Sequence, residues 1–274
     1  MNSTRRAVLA GLLGAGLAPS AAGWASAVGQ ASAAGPSSAA GRASTAGPAS
    51  AARRASAAGP RPPASLLGRE IRRLPTSRQV VALTFNAAWN ERGVAAVLTE
   101  LRRRGHPATF FPTGGFAEAR PAAVRAMGAE HGLGNHSHTH PYFDDLSTRE
   151  RGREVRRADA AIRTAAGTDP LPFFRFPYSS TTTDSVADVN ALGYAAIEFT
   201  VDTNGYLGPG RGMTVQRVIE RAVAALAPGA IIQMHVGSSA ADGIVLDAQA
   251  LPRLLDAIAA RGYGVVDLRE FLVP

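Results

Sequence analysis

The chain has no cysteine, no acidic side chain in its first 65 positions and no apolar run long enough to cross a bilayer. The missing thiols exclude disulfides and thiolate metal sites, which leaves histidine and carboxylate as the strong ligands. The missing acids leave the six Arg of residues 1–65 uncompensated. They hold most of the net charge of +8, because residues 66–274 carry 23 basic and 21 acidic side chains. The basic character therefore belongs to the tail. A nucleic-acid partner is not expected, since it would need a basic stripe with interleaved aromatics on the folded part.

The tail itself divides in two. Arg5 and Arg6 precede an uncharged stretch over residues 7–18, too short for a spanning helix but of the length an export signal uses, and Ala25-Ser26-Ala27 offers a small-x-small cleavage site. Thr4-Arg5-Arg6-Ala7-Val8-Leu9 resembles a twin-arginine signal, although general secretory signals also contain paired Arg, so both export routes stay open. Residues 1–27 are thus expected to be an export signal, and the mature protein to be extracellular or associated with the cell wall, with no stable membrane span. From 28 to 65 the chain is almost wholly Ala, Gly, Ser, Pro and Arg, and ASAAGP at 31–36 returns as ASTAGP at 43–48 and ASAAGP at 55–60. Such a segment has too little apolar area to offset its ordering entropy and reads as a disordered linker. Residues 66–274 remain as one domain, expected to be a monomer.

Within that domain short strand-like runs alternate with helical spacing. Residues 79–85 are β-branched and apolar. Val94, Val97, Leu98 and Leu101 then follow at i, i+3, i+4 and i+7, before Gly105 and Pro107 stop the helix. Further strands are expected at 108–111, 133–136, 173–176, 195–199, 230–235 and 264–268. Ser147 and Glu150 form a capping box ahead of Val155, Ala158 and Ile162, and Val215, Val218, Ile219 and Ala222 mark another helix. Seven strands in alternation with helices predict a parallel α/β sheet, open or closed into a barrel.

Polar clusters stand at the ends of several of these strands. Asn135-His136-Ser137-His138-Thr139-His140 follows the third; a helical turn there would set His136 and His140 one above the other, a spacing that lets two imidazoles reach one divalent ion, with His138 aimed elsewhere. Arg175-Phe176-Pro177-Tyr178 ends the fourth, Asp202-Thr203-Asn204 follows the fifth, and His235 ends the sixth. Each alone fits a surface ion pair or a satisfied core histidine. Together, at successive strand ends, they mark a site.

These residues resemble the polysaccharide deacetylases that share the NodB homology domain, carbohydrate esterase family 4. Thr84-Phe85-Asn86-Ala87-Ala88-Trp89 stands where the family has T-F-D-D-G or T-F-D-x-x-W, and His136-Ser137-His138-Thr139-His140 matches H-[ST]-x-x-H. Arg175-Phe176-Pro177-Tyr178 is similar to R-x-P-Y, Val201-Asp202-Thr203 to the fourth motif, and Ile232-Gln233-Met234-His235 to the closing L-x-x-H. The resemblance covers about residues 66–274. It implies a distorted, seven-stranded (β/α) barrel that removes acetyl groups from N- or O-acetylated glycans, peptidoglycan, chitin-like or xylan-like, with a divalent ion, usually zinc. It also implies roles: His136 and His140 as metal ligands, the Tyr178 N–H as oxyanion donor, His235 as general acid oriented by Asp202, Arg175 as brace of the base, and Trp89 and Ile232 as walls of the acetate pocket.

The first motif departs from the family. Asn86 stands at the general-base position and Ala87 at that of the third metal ligand. An amide cannot take a proton from water and a methyl cannot bind a metal, so any zinc is expected to be weakly held. Three accounts follow: an impaired deacetylase in which Asn86 positions the water, a non-catalytic glycan-binding pseudoenzyme of the same fold, or replacement of the carboxylate by Asp144, Asp145 or Asp202. An unrelated two-histidine metallohydrolase would leave Arg175, Asp202 and His235 at the strand ends by coincidence.

Overall fold

A computed structural model describes residues 61–239 and 242–272. The expected export signal, and the linker as far as residue 60, lie outside the described residues. Nine short strands are present among the described residues. The central one, β2 (Val80–Ala87), is buried on both faces. It pairs in parallel with β8 (Ala230–His235) along one edge, from Val81↔Ala230 to Asn86↔His235. Its other edge is shared: β9 (Gly264–Val266) takes the beginning and β3 (Thr109–Pro112) the end. β3 pairs with β4 (Gly132–Leu133), and an Asn135↔Phe174 bridge carries the sheet on to β5 (Phe173–Phe174). β5 pairs with β6 (Ala195–Ile197), whose chain runs on through residues 198–200 into β7 (Val201–Asp202), and β7 pairs with β8.

The contacts thus return to their starting strand. This is the distorted (β/α) barrel expected from the sequence, with β9, which shares an edge of β2 with β3, as the seventh strand. The structure adds β1 (Glu70–Ile71), a two-residue partner of β6 too short to leave a periodic pattern, and it separates β7 from β6.

The helices that apolar spacing marked all form, and others join them. α1 (Val94–Arg104) buries Val94, Val97, Leu98 and Leu101 and ends on Gly105 at φ 67°. After α2 (Gly114–Ala119) and α3 (Pro121–Glu130), α4 (Thr148–Ala166) opens with the Ser147–Glu150 capping box, both bonds present, and buries Val155, Ala158 and Ile162. α5 (Thr183–Ala191), α6 (Val215–Ala224) and α7 (Leu246–Ala259) complete the outer layer.

Strand alternation sorts each strand into an outer and an inner face. On β2 the outward side chains Val81, Leu83 and Phe85 join the main core under the helices, and Ala87, the last residue of the strand, borders that core at the carboxyl end of the barrel. The inward ones read Val80, Ala82, Thr84, Asn86: apolar at the amino end, polar at the carboxyl end. β8 repeats this with Ile231, Gln233 and His235. The lower interior is a separate apolar cluster that includes Phe111, Phe173 and Ile197, closed by Leu66, Leu74 and Phe271.

Burial begins a few residues ahead of position 66, where the domain was expected to start. Pro62 is already buried, and a short 3-10 turn over Ala64–Leu66 sets Leu66, 2% exposed, into the cluster at the bottom of the barrel. Leu66 is the first residue of the expected domain, and of the expected linker Pro62 alone among the described residues is buried, so packing reaches a few residues ahead of that boundary to cover the open amino end of the barrel.

Two ionisable groups lie inside the barrel wall. Arg175 and Glu198 are both fully buried. The Glu198 carboxylate accepts from the Phe176 N–H at 3.1 Å, and burial pushes its pKa up to about 7, against the opposing pull of the Arg175 charge. A carboxyl whose folded pKa exceeds its unfolded value stabilises the fold fully at low pH and loses that contribution as pH rises towards the folded pKa.

Two outcomes follow. A chain beginning at Arg61 should match one beginning at Val28 in thermal midpoint. One beginning at Gly68 loses the Leu66 plug and should unfold roughly 5–15 °C lower, from the 2–5 kcal/mol typical of a vacated leucine site; equal midpoints for the two shorter chains would show that the plug carries no stability. For Glu198→Gln, urea midpoints should improve relative to the natural protein as pH rises from about 4.5 to about 7. A pH-independent gap between the two would contradict the buried, proton-holding carboxyl.

Candidate active site

The histidine segment after β4 is a loop, not the helical turn that its spacing suggested. Ser137 and His140 both adopt left-handed backbone, at φ 64° and 61°. Asn135 fixes the turn from inside: its Oδ1 accepts from the Ser137 N–H at 3.0 Å, and its Nδ2 donates to the Val155 carbonyl at 3.0 Å. Glu154, on α4, accepts from the N–H groups of His138 (2.9 Å) and Thr139 (2.7 Å). The result brings His136 and His140 together edge to face, ring centroids 4.8 Å apart. His138 turns away towards Glu118, 3.7 Å off. His136 Nδ1 meets the Arg175 carbonyl at 2.9 Å. Burial lowers the pKa of both His136 and His140, and each is further opposed by neighbouring histidine charge, so both favour the neutral imidazole.

Arg175 projects into the middle of the barrel. Its Nε donates to the Ile197 carbonyl (3.1 Å), Nη2 to the Glu198 carbonyl (3.2 Å), and Nη1 to both Thr84 Oγ1 (3.0 Å) and Asn86 Oδ1 (3.1 Å). From Asn86 the bonding continues in one direction: Asn86 Nδ2 donates to Gln233 Oε1 at 3.2 Å, and Gln233 Nε2 donates to Asp202 Oδ2 at 2.9 Å. A cation and a carboxylate are thus joined through two amides. Sequence reasoning missed Gln233, although strand alternation points to it. Ile232, expected in the acetate pocket, is a correction: it faces outward, fully buried in the core under the helices. The inward position on that stretch of β8 belongs to Gln233, two residues before His235.

His235 is 4% exposed and lies among rings, with Tyr206 at 4.5 Å and Trp89 at 6.0 Å between centroids. Trp89 also stacks on Tyr206 at 5.3 Å, while Tyr178 meets His140 at 4.6 Å and Tyr142 at 4.0 Å. Trp89, Tyr142 and Tyr178 are each about half exposed, so an aromatic rim surrounds the histidines. Trp89 and Tyr178 were expected there; Tyr142 and Tyr206 were not, having no motif position to mark them.

The carboxylates divide differently from expectation. Asp202 Oδ1 is 3.9 Å from His235 Nδ1, whereas Asp247 Oδ2 is 3.4 Å away. Asp202 is therefore not the nearest carboxylate to His235: its oxygens accept from the Asn204 N–H and from Gln233 instead. Asp247 lies in the first turn of α7, twelve residues past His235 in a stretch with no recognisable motif. Asp144 and Asp145 are exposed on a 3-10 turn, with Asp144 bonded to the Ser180 hydroxyl, and neither replaces a carboxylate at position 86.

The donor set does not fit a divalent ion held by three protein ligands. Beside His136 and His140 the third family position is the buried methyl of Ala87, and among the described residues no group of three or more His, Asp or Glu could hold a metal ion.

Comparison with known proteins agrees with this geometry. Residues 73–197 match the family model described as polysaccharide deacetylase. A chitooligosaccharide deacetylase of Sinorhizobium fredii is 32% identical over 210 residues, covering 74% of this chain and 96% of that protein. A solved CE4 family pseudoenzyme from Bacillus anthracis superposes with TM-score 0.67 at 25% identity, over 75% of this chain and 69% of the other. A mutant described as a CE4 family pseudoenzyme with restored enzymatic activity gives the same TM-score and identity, over 75% and 72%. Likeness along nearly the whole rhizobial enzyme, with motifs that the fold gathers at one end of its barrel, establishes that the chain belongs to the polysaccharide deacetylase family.

Proposed function

We propose that this protein is an exported hydrolase that removes acetyl groups from N-acetylated glycans of the chitooligosaccharide or peptidoglycan class, with activity reduced by the two changes in its first motif. The observation that carries the reading is the convergence of His136, His140, Arg175 and His235 at one aromatic-rimmed barrel mouth. In this reading residues 1–27 direct export and the following linker tethers the domain at the cell wall.

The chain's own groups have assignable tasks. Trp89 and Tyr206 offer flat apolar faces to the substrate. The Tyr178 N–H, carried by a residue in left-handed conformation at φ 59°, stabilises the oxyanion that forms as water adds to the acetyl carbonyl. His235 gives a proton to the departing amine. Asn86 can orient the water through the remaining lone pair of its Oδ1, but it cannot accept the proton, which must leave to bulk water as the oxyanion forms, and general-base catalysis is typically worth about 10²–10⁴-fold. His136 and His140 are the side chains at the place where the family's divalent ion would be held, and two imidazoles alone give it weak retention.

The second reading is a glycan binder without catalysis. The observation that favours it is the Arg175–Asn86–Gln233–Asp202 chain, which uses Asn86 as donor and acceptor at once. A carboxylate at 86 could not donate to Gln233, so the amide is built into the surroundings rather than being an isolated loss.

Acetate release from an N-acetylglucosamine oligomer separates the two. Asn86→Asp gives Arg175 a counter-charge but forces Gln233 to turn over, so the single change should help little. Asn86→Asp with Ala87→Asp should raise release at least ~10²-fold, above either single variant. Oligomer binding without acetate release in every variant would support the binder, and a natural protein already as fast as the double variant would sink the impaired-enzyme reading. Metal retention is a separate expectation. Ala87→Asp buries an unpaired carboxylate and should lower the thermal midpoint in chelator, with added zinc restoring it. The natural protein should lose zinc on dialysis, and stoichiometric retention would contradict the two-imidazole account.

A further inference from the structure

The carboxylate nearest to His235 comes from outside the recognised motifs. Asp247 is completely buried, and both of its oxygens are committed to the strand ends. Oδ2 accepts from the His235 backbone N–H at 2.9 Å and lies 3.4 Å from His235 Nδ1, while Oδ1 accepts from Thr203 Oγ1 at 2.6 Å. It sits in the first turn of α7, where a negative charge meets the positive end of the helix dipole. His235 Nδ1 is itself buried and has no well-formed hydrogen bond. It faces Asp247 more closely than Asp202, whose oxygens are already taken by Asn204 and Gln233.

The loop after β7 shows how the room for this carboxylate arises. Gly205 follows β7, the strand that pairs with β8, and a Cβ built on it would overlap the Asp247 carboxylate. Position 205 and the Asp247 side chain therefore compete for one volume beside His235. With glycine at 205, a carboxylate can enter that volume only from α7.

We infer that Asp247 is the positioning residue for His235, holding the ring with Nδ1–H towards α7 and Nε2, on the opposite edge, free for the substrate nitrogen. The part assigned to Nε2 rests on the deacetylase reading; the hold on Nδ1 does not. Asp202 instead terminates the amide chain from Arg175.

Nitrogen-15 NMR of the histidine side chains in the full chain tests this without requiring turnover, with His235 assigned through His235→Gln. The natural protein should show a protected His235 Nδ1–H. Asp247→Ala should lose it, Asp202→Asn should keep it, and Gly205→Asp combined with Asp247→Ala should regain it, because the new carboxylate occupies the same volume from the loop after β7. Asp247→Asn, which preserves size and one acceptor, should stay folded and show a weaker, more rapidly exchanging Nδ1–H. Absence of the signal from the natural protein, its survival in Asp247→Ala, or its loss in Asp202→Asn would overturn the assignment. A folded double variant without it would overturn the shared-volume argument. Acetate release is read alongside: if no variant releases acetate while the NMR pattern holds, the deacetylase reading fails and the positioning role stands.

Discussion

Arg175 is the group around which the upper half of the barrel is arranged. A guanidinium with no exposed surface would be very costly without partners, and this one forms no ion pair among the described residues. It is solvated by the protein instead: two carbonyls at the end of β6, the Thr84 hydroxyl, the Asn86 amide oxygen and the face of Phe111, 4.2 Å from its ring. Burial lowers its pKa to about 10, which leaves it charged at neutral pH. Its own carbonyl meets His136, so one residue connects β2, β6 and the histidine loop. Position 86 must therefore present an acceptor, and the amide satisfies Arg175 as well as a carboxylate would in geometry, though not in charge.

The charge that Asn86 lacks is found farther along the same line. Arg175 donates to Asn86, Asn86 to Gln233 and Gln233 to Asp202, each bond polarising the next in the low-dielectric interior. The compensating carboxylate is displaced to the rim, and the two amides orient the dipoles between. The chemical consequence is that the centre of the site has hydrogen-bonding capacity without a proton acceptor. In the proposed reading, the acid, the oxyanion donor and the substrate walls are kept while the step that depends on a base is weakened.

Backbone strain marks the same place. Among the described residues the non-glycine positions with positive φ are Ser137, His140, Tyr178, Ser179 and Asn204, and they fall in the three loops after β4, β5 and β7. Left-handed backbone costs roughly 1–2 kcal/mol per non-glycine residue, and it persists where surrounding bonds over-determine it. Here Asn135, Glu154 and Asp202 supply those bonds through the N–H groups of Ser137, His138, Thr139 and Asn204. The loops are thereby held open towards an aromatic rim rather than collapsed onto the barrel end.

What the sequence determined by itself were the features with local causes. Short apolar, β-branched runs located the seven barrel strands, whose side chains alternate between two buried faces, and period-3.6 spacing located helices such as α1 and α4, while the motif spacing located Asn86, His136, Arg175 and His235 because the chemistry needs them at strand ends. The same alternation could have moved the pocket residue of β8 from Ile232 to Gln233, had the inward face been assigned from His235 backwards. Other features depended on distance rather than order. Leu66 is a plug only because the amino end of the barrel is open; His136 and His140 meet through two left-handed residues that no propensity predicts; Asp247 reaches His235 only because Gly205, from a different loop, leaves the space. Local pattern reports which way a side chain points along its own element. Which groups from separate elements share a volume, and so which carboxylate serves which histidine, was decided only when the strands closed into a ring.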